Sequence, residues 1–270
     1  LEALACAWAE RLPRGVFAKE TVVPETYSLS PEQFAEFESR GVVRLPGFYP
    51  KVTIDLMADR LWEDLERRFG IDRNRPESWT VAAPAQFQAL RQARAFDALG
   101  SPQMFALADT LLGAGKWDEP VAWGAPLVTF PTPNPERHHS AWHLDIDGVK
   151  LLTPLSVLRG FTFLEPVLTN GGGTLYVAGT HLLALEIERV HGRPVRSAFV
   201  RERLKSENAW FEHLLSVRGH HLRELMKAEH EVRGYNLRIE EMTGQPGDLV
   251  IMHPAVLHGS APNTRARPRM

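Results

Sequence analysis

A single cysteine, Cys6, stands in 270 residues. No internal disulfide can form, and the count suits a reducing, cytoplasmic setting. No uninterrupted apolar run approaches the roughly 18 residues that a membrane-spanning helix needs. Neither sign of charge dominates: 31 Lys and Arg against 33 Asp and Glu leave a formal charge of -2. That excludes the basic footprint expected of a nucleic-acid or anionic-membrane binder. Repeats, low-complexity tracts and linkers are absent. The run Gly171-Gly172-Gly173 is followed by neither Gly-Lys-Ser/Thr nor a helix start, so it is not a phosphate loop. Leu1–Trp8 is apolar but carries Glu2 and has no cationic start. It reads as a short amphipathic helix, not a signal peptide. The chain does not begin with Met, and a few residues are expected before Leu1.

What is present is a chain with 44% hydrophobic residues, long enough to bury a core in one domain, 1–270. Residues 1–119 read as mostly helical. Ser30-Pro31-Glu32-Gln33 is a capping box with proline at the first helical position, and Gly41 closes that helix. Val42–Leu45 reads as a short strand. Val52, Leu56, Leu61, Leu65 and Phe69 recur near helical spacing up to Gly70, and Ser101-Pro102 starts a further helix. From about Pro120 short β-rich runs alternate with Gly/Pro turns: Val121–Phe130, Leu155–Leu164, Thr174–Val177, Asn236–Met242 and Leu249–Met252. The expected class is mainly β with a helical buttress (α+β), built on a jelly roll, or double-stranded β-helix. A helical insertion over about 182–235 interrupts it, as a lid or as a packed surface hairpin of helices. It carries Arg189, Arg193, Arg196, Arg201 and Arg203, which could meet an anionic substrate or simply face solvent.

Trp142-His143-Leu144-Asp145 carries the chemistry. In extended backbone, side chains two residues apart point the same way, so His143 and Asp145 could share a metal ion while Trp142 packs on the other face. A second histidine would complete a two-histidine, one-carboxylate triad with open positions, as in non-haem Fe(II) oxygenases. His253 and His258 compete for that role, and their spacing does not settle it. His258 is favoured because Ser260 shares its face and would place a hydroxyl beside the metal. His253 then becomes a structural histidine, or one that braces a metal ligand from behind. His138, His139, His220 and His221 are adjacent pairs read as surface residues, with His138 or His139 able to line a pocket mouth.

Gly247–Asn263, with its Gly-Asp-apolar strand, His-Gly-Ser and Asn, resembles the distal-ligand segment of the phytanoyl-CoA dioxygenase family of Fe(II)/2-oxoglutarate oxygenases. Asn170–His181 is similar to that family's turn, strand and Gly-Ser/Thr-His corner, and Leu29–Phe48 is similar to its N-terminal stretch. The resemblance implies that His143, Asp145 and His258 hold Fe(II), and that 2-oxoglutarate and O2 are co-substrates. A small-molecule C–H bond would be hydroxylated, with succinate and CO2 released. Arg265, Arg267 and Arg269 share parity and pattern alone cannot choose among them. The family's spacing, an arginine 11 residues past the histidine, picks Arg269, with Ser260 as its hydroxyl partner. A guanidinium suits the distal carboxylate because its paired donors are geometrically fixed. Arg269 is the penultimate residue, so either the chain continues past Met270 or the clamp sits on a frayed end. Phe161 stands where family members often carry Trp and is expected in the core. Asp145 argues for hydroxylation over halogenation, since related halogenases replace that carboxylate with a small residue. The rival readings are a metal-dependent cupin-type enzyme that does not use 2-oxoglutarate, and a non-catalytic jelly-roll binding protein. The first needs no buried guanidinium at 269, and the intact metal ligands weigh against the second.

Overall fold

The computed structural model describes residues 27–270 apart from 153, 154, 156, 218 and 219. Cys6 and the Leu1–Trp8 stretch lie outside the described residues, as do the side chains of His220 and His221. In chain order the helices and strands are α1 (Pro31–Arg40), β1 (Val42–Leu45), α2 (Lys51–Phe69), α3 (Gln88–Gln92), α4 (Pro102–Leu112), β2 (Arg159–Thr162) and β3 (Thr174–Ala178). Then come α5 (Thr180–His191), α6 (Ser197–Glu207), α7 (Ala209–Ser216), α8 (His220–Leu225), β4 (His230–Val232), β5 (Tyr235–Glu241), β6 (Leu249–Met252) and β7 (Leu257–Ser260).

The capping box forms as expected: Ser30 Oγ accepts from Gln33 N, and Gln33 Oε1 accepts from Ser30 N. Gly41 ends α1 at φ 74°, and a Cβ there would sit 2.5 Å from His181 Nδ1. Only glycine fits on both counts. In α2 the buried stripe is Ile54, Met57, Leu61 and Leu65, while Val52 and Leu56 face solvent. The expected helix is there, but its inward face begins at Ile54.

Two antiparallel sheets face each other. One has the order β1-β6-β2, the other β4-β5-β3-β7. Strand alternation sorts their side chains into three cores. Val42, Phe163, Met242, Val250, Met252 and Val256 fill the space between the sheets. Val43, Leu45, Leu249 and Ile251 point outward into a core under α1, α2 and α4. Leu175, Val177, Leu237, Ile239 and Leu257 point the opposite way, under α5 to α8. The insertion is therefore a packed layer on the outer face of the second sheet. No helix among the described residues is long and apolar enough to cross a membrane.

One expected strand does not form. Val121–Phe130 makes a single isolated bridge, Thr129 to Arg269. Gly124 adopts φ 73° and Pro126 lacks an N–H, so that run cannot sustain a ladder.

Candidate metal centre

The segment 140–145 runs antiparallel to β7. His143 N donates to His258 O at 2.8 Å and His258 N to His143 O at 2.9 Å, and Ser260 N donates to Ser140 O at 2.8 Å. Residues directly opposed in this way share a face, and their ring centroids are 4.2 Å apart. Asp145, two residues on, has its carboxylate oxygens 3.7 Å from His143 Nε2 and 3.8 Å from His258 Nε2. The closeness needs the glycine of His-Gly-Ser: a Cβ on Gly259 would sit 2.3 Å from Ser140 O. Trp142 points the other way, into the core under the insertion helices.

Helix α6 steadies this segment from behind. Ser197 Oγ accepts from Leu144 N at 2.9 Å, and Ser197 N donates to Asp147 Oδ1 at 2.7 Å. Arg201 donates to Trp142 O at 3.0 Å. This arginine of the expected basic cluster thus serves the ligand segment.

Among the described residues, His143, Asp145 and His258 form the group whose ligand atoms all lie within 4.8 Å of one another. The donor set suits a transition metal. His143 Nδ1 is 2.9 Å from Ala141 O and His258 Nδ1 is 3.0 Å from Val256 O. A carbonyl only accepts, so each Nδ1 carries the proton and each Nε2 lone pair is left for a metal. The side chain of His143 is 48% exposed, that of Asp145 29% and that of His258 6%, so the group opens on one side. Burial holds His258 below the ordinary histidine value, which favours the neutral ligand form.

His253 is elsewhere. It is buried, its ring 5.2 Å from that of His181 and its Nδ1 accepting from Ala255 N. It packs away from His143 and Asp145, against His181.

Arg269 points inward while Arg265 and Arg267 are exposed. Shared parity fails here because 263–268 is a turn. Buried Asn263 organises it, donating to Thr129 O and Arg267 O and accepting from Arg265 N. The chain end is tied down: Arg269 exchanges two hydrogen bonds with Thr129, and Leu164 N donates to Met270 O. Arg269 Nη2 donates to Thr174 Oγ1 at 2.7 Å, so the neighbouring hydroxyl belongs to Thr174, not to Ser260. Ser260 Oγ instead lies 3.1 Å from His138 Nε2 and donates to Ser140 O. Thr174 and Ser260 are register partners on adjacent strands.

Arg269 and Thr174 line a cavity of about 110 Å³ walled by Phe161, Phe163, Leu164 and Met242. Phe161 thus borders the cavity as well as the core. Burial pushes Arg269 down to about 10, partly offset by the charge of Glu241. Sequence reasoning missed Thr174, whose only signal is its position opening the strand after the glycine run. It also missed Arg159, which donates to Asp145 Oδ2 at 2.7 Å. A lone arginine inside the apolar run Leu155–Leu164 was the available signal.

Residues 37–270 match the family described as phytanoyl-CoA dioxygenase (PhyH). The chain belongs to the phytanoyl-CoA dioxygenase family. No curated protein matches it in sequence. Among solved structures it is similar to SnoK, a non-haem alpha-ketoglutarate-dependent carbocyclase from nogalamycin biosynthesis. The identity is 20%, covering 90% of this chain and 81% of that one, with a TM-score of 0.54. It is also similar to EctD from S. alaskensis in its apo form, at 18% identity, 93% and 77% coverage and a TM-score of 0.50. At these identities the likeness is one of fold, and it accords with the expected jelly roll.

Proposed function

We propose that this PhyH-family protein is an Fe(II)/2-oxoglutarate-dependent dioxygenase that hydroxylates a C–H bond of a small-molecule substrate. The observation that carries the reading is the distance along the strands between two sites. Tyr176 pairs with His258, and Thr174, which contacts Arg269, pairs with Ser260. The cationic cavity therefore begins two residues, about 7 Å of strand, from the metal ligand. A five-carbon diacid spans such a separation, with one end at the metal and the other at a guanidinium.

His143 Nε2, His258 Nε2 and an Asp145 oxygen would hold the iron. When bound, iron and 2-oxoglutarate together supply O2 activation coupled to decarboxylation of the co-substrate to succinate and CO2. The chain's own work is binding and exclusion. Arg269 and Thr174 take the distal carboxylate by charge-assisted hydrogen bonds. Phe161, Phe163 and Met242 keep that carboxylate out of water, which strengthens the pairing. The open side at His143 and Asp145 leaves room for a substrate to approach, and the carboxylate ligand at 145 favours hydroxyl transfer over halide transfer. A cupin-type enzyme without 2-oxoglutarate, or a binding protein, gives no reason for an enclosed arginine at this distance.

The test is anaerobic addition of Fe(II) and then 2-oxoglutarate, watching for the weak visible charge-transfer band of the chelate. Air is then admitted and succinate measured. A wild-type protein that gives no band would sink the reading.

A further inference from the structure

Each candidate ligand is held from behind by one partner. For His143 and His258 that partner is a backbone carbonyl, supplied by Ala141 and Val256. For Asp145 it is a side chain, Arg159, whose Nε donates to Oδ2. Arg159 is the register partner of Met252, so it points from β2 into the space between the sheets, toward β7. The two Asp145 oxygens are differently placed. Oδ1 lies 3.7 Å from His143 Nε2, and Oδ2, the oxygen Arg159 holds, lies 3.8 Å from His258 Nε2. Both oxygens are thus within reach of an ion seated between the two histidines.

We propose that Arg159 is a positioning residue that restrains Asp145 to one-oxygen binding of the metal, keeping Oδ2 engaged so that the facing positions stay open. A free carboxylate beside a divalent ion can use both oxygens, and the second would take a position that 2-oxoglutarate needs. The directed hydrogen bond from Arg159 Nε to Oδ2 must be lost before that can happen. The inference rests on the iron and 2-oxoglutarate reading above. It goes beyond that reading in assigning a coordination-controlling role to a residue outside the ligand set.

The donor in the structure is Nε, which sits as many bonds from the backbone as the amide nitrogen of glutamine. Arg159→Gln therefore keeps a donor at the same reach and removes the charge, whereas Arg159→Met removes both. Arg159→Lys keeps the charge and moves the donor. Metal affinity is read by anaerobic Co(II) titration, coordination number by the intensity of the Co(II) visible bands, and 2-oxoglutarate affinity by the Fe(II) chelate band. For Arg159→Met the expected result is metal affinity equal to or tighter than wild type, weaker Co(II) bands, and 2-oxoglutarate affinity lower by about tenfold or more. Arg159→Gln is expected to restore 2-oxoglutarate affinity to within about threefold of wild type. Metal and 2-oxoglutarate binding lost in parallel, with a lowered melting temperature, would mean a merely structural arginine and overturn the proposal. So would unchanged 2-oxoglutarate affinity in Arg159→Met. A wild-type-like Arg159→Lys beside a Met-like Arg159→Gln would show that charge, not orientation, matters, and would overturn it as well. Absence of the band in wild type counts against the co-substrate reading itself, whatever Arg159 does.

Discussion

Among the described residues two histidine pairs lie ring to ring, with one member of each drawn from the same short stretch, His253 and His258. The pair His143–His258 has rings 4.2 Å apart and Nε2 atoms facing a carboxylate on an open side. The pair His181–His253 has rings 5.2 Å apart and is closed in under the end of α1. There His181 Nε2 donates to Glu38 O, while its Nδ1 is buried without a partner. No carboxylate is described against this second pair. Burial holds His181 down at about 4 and His253, with His181 beside it, at about 3. Identical side chains thus become candidate ligands in one place and neutral packing in the other. A neighbouring carboxylate and an open side make the difference.

The sharpest way to break this contrast is to truncate one member of each pair. His258→Ala is expected to lower metal affinity by more than about 100-fold, exceeding the loss usual for an outer partner, with the urea midpoint little changed. His253→Ala is expected to do the reverse: about 2–4 kcal/mol of stability lost, with metal affinity within a few-fold of wild type. Metal titration and urea unfolding on both variants decide it, and equal metal loss in the two would erase the distinction. Removing the cation of the adjoining cavity comes next. Arg269→Leu is expected to weaken 2-oxoglutarate binding by about 2–3 kcal/mol, roughly 30- to 150-fold, with metal affinity kept.

Acid should separate the pairs too. The folded values of His181 and His253 lie below the ordinary 6.5, so the unfolded chain binds more protons as pH falls. Their stabilisation is complete above pH 6.5 and is lost as pH drops toward about 4 and about 3. The slope approaches about 1.4 kcal/mol per pH unit for each histidine. Urea midpoints from pH 7 to 5 should fall accordingly, and His253→Phe should flatten the fall; an unchanged slope would remove the burial argument. The smallest effect is expected at the two hydroxyls. Thr174→Val should weaken 2-oxoglutarate by about 1 kcal/mol, against less than half of that for Ser260→Ala. The reverse order would return the clamp to Ser260.

Much of this was legible beforehand, for identifiable reasons. The α1 cap, β1, β3 and β6 each rest on local rules, a capping box or a short β-branched run between turn residues, and tertiary contacts did not overrule them. Val121–Phe130 misled because its composition favours strand while Gly124 and Pro126 forbid the ladder. The insertion was undecidable because helical periodicity gives an apolar face but not the sheet it covers. His143 and Asp145 were visible through a spacing of two. Arg159 was not, because nothing in the order of residues places β2 beside residue 145.

The sequence by itself determined the local geometry: which residues alternate, where helices start, and that His143 and Asp145 share a face. Their pairing with His258 across β7, the inward turn of Arg269 while Arg265 and Arg267 stay exposed, and the contact of Arg269 with Thr174 belong to tertiary structure. Those choices turn on cross-strand register and on the Asn263 turn. Such contacts join residues far apart in the chain, as between Asn263 and Thr129, 134 positions away, and no periodicity along the chain encodes them.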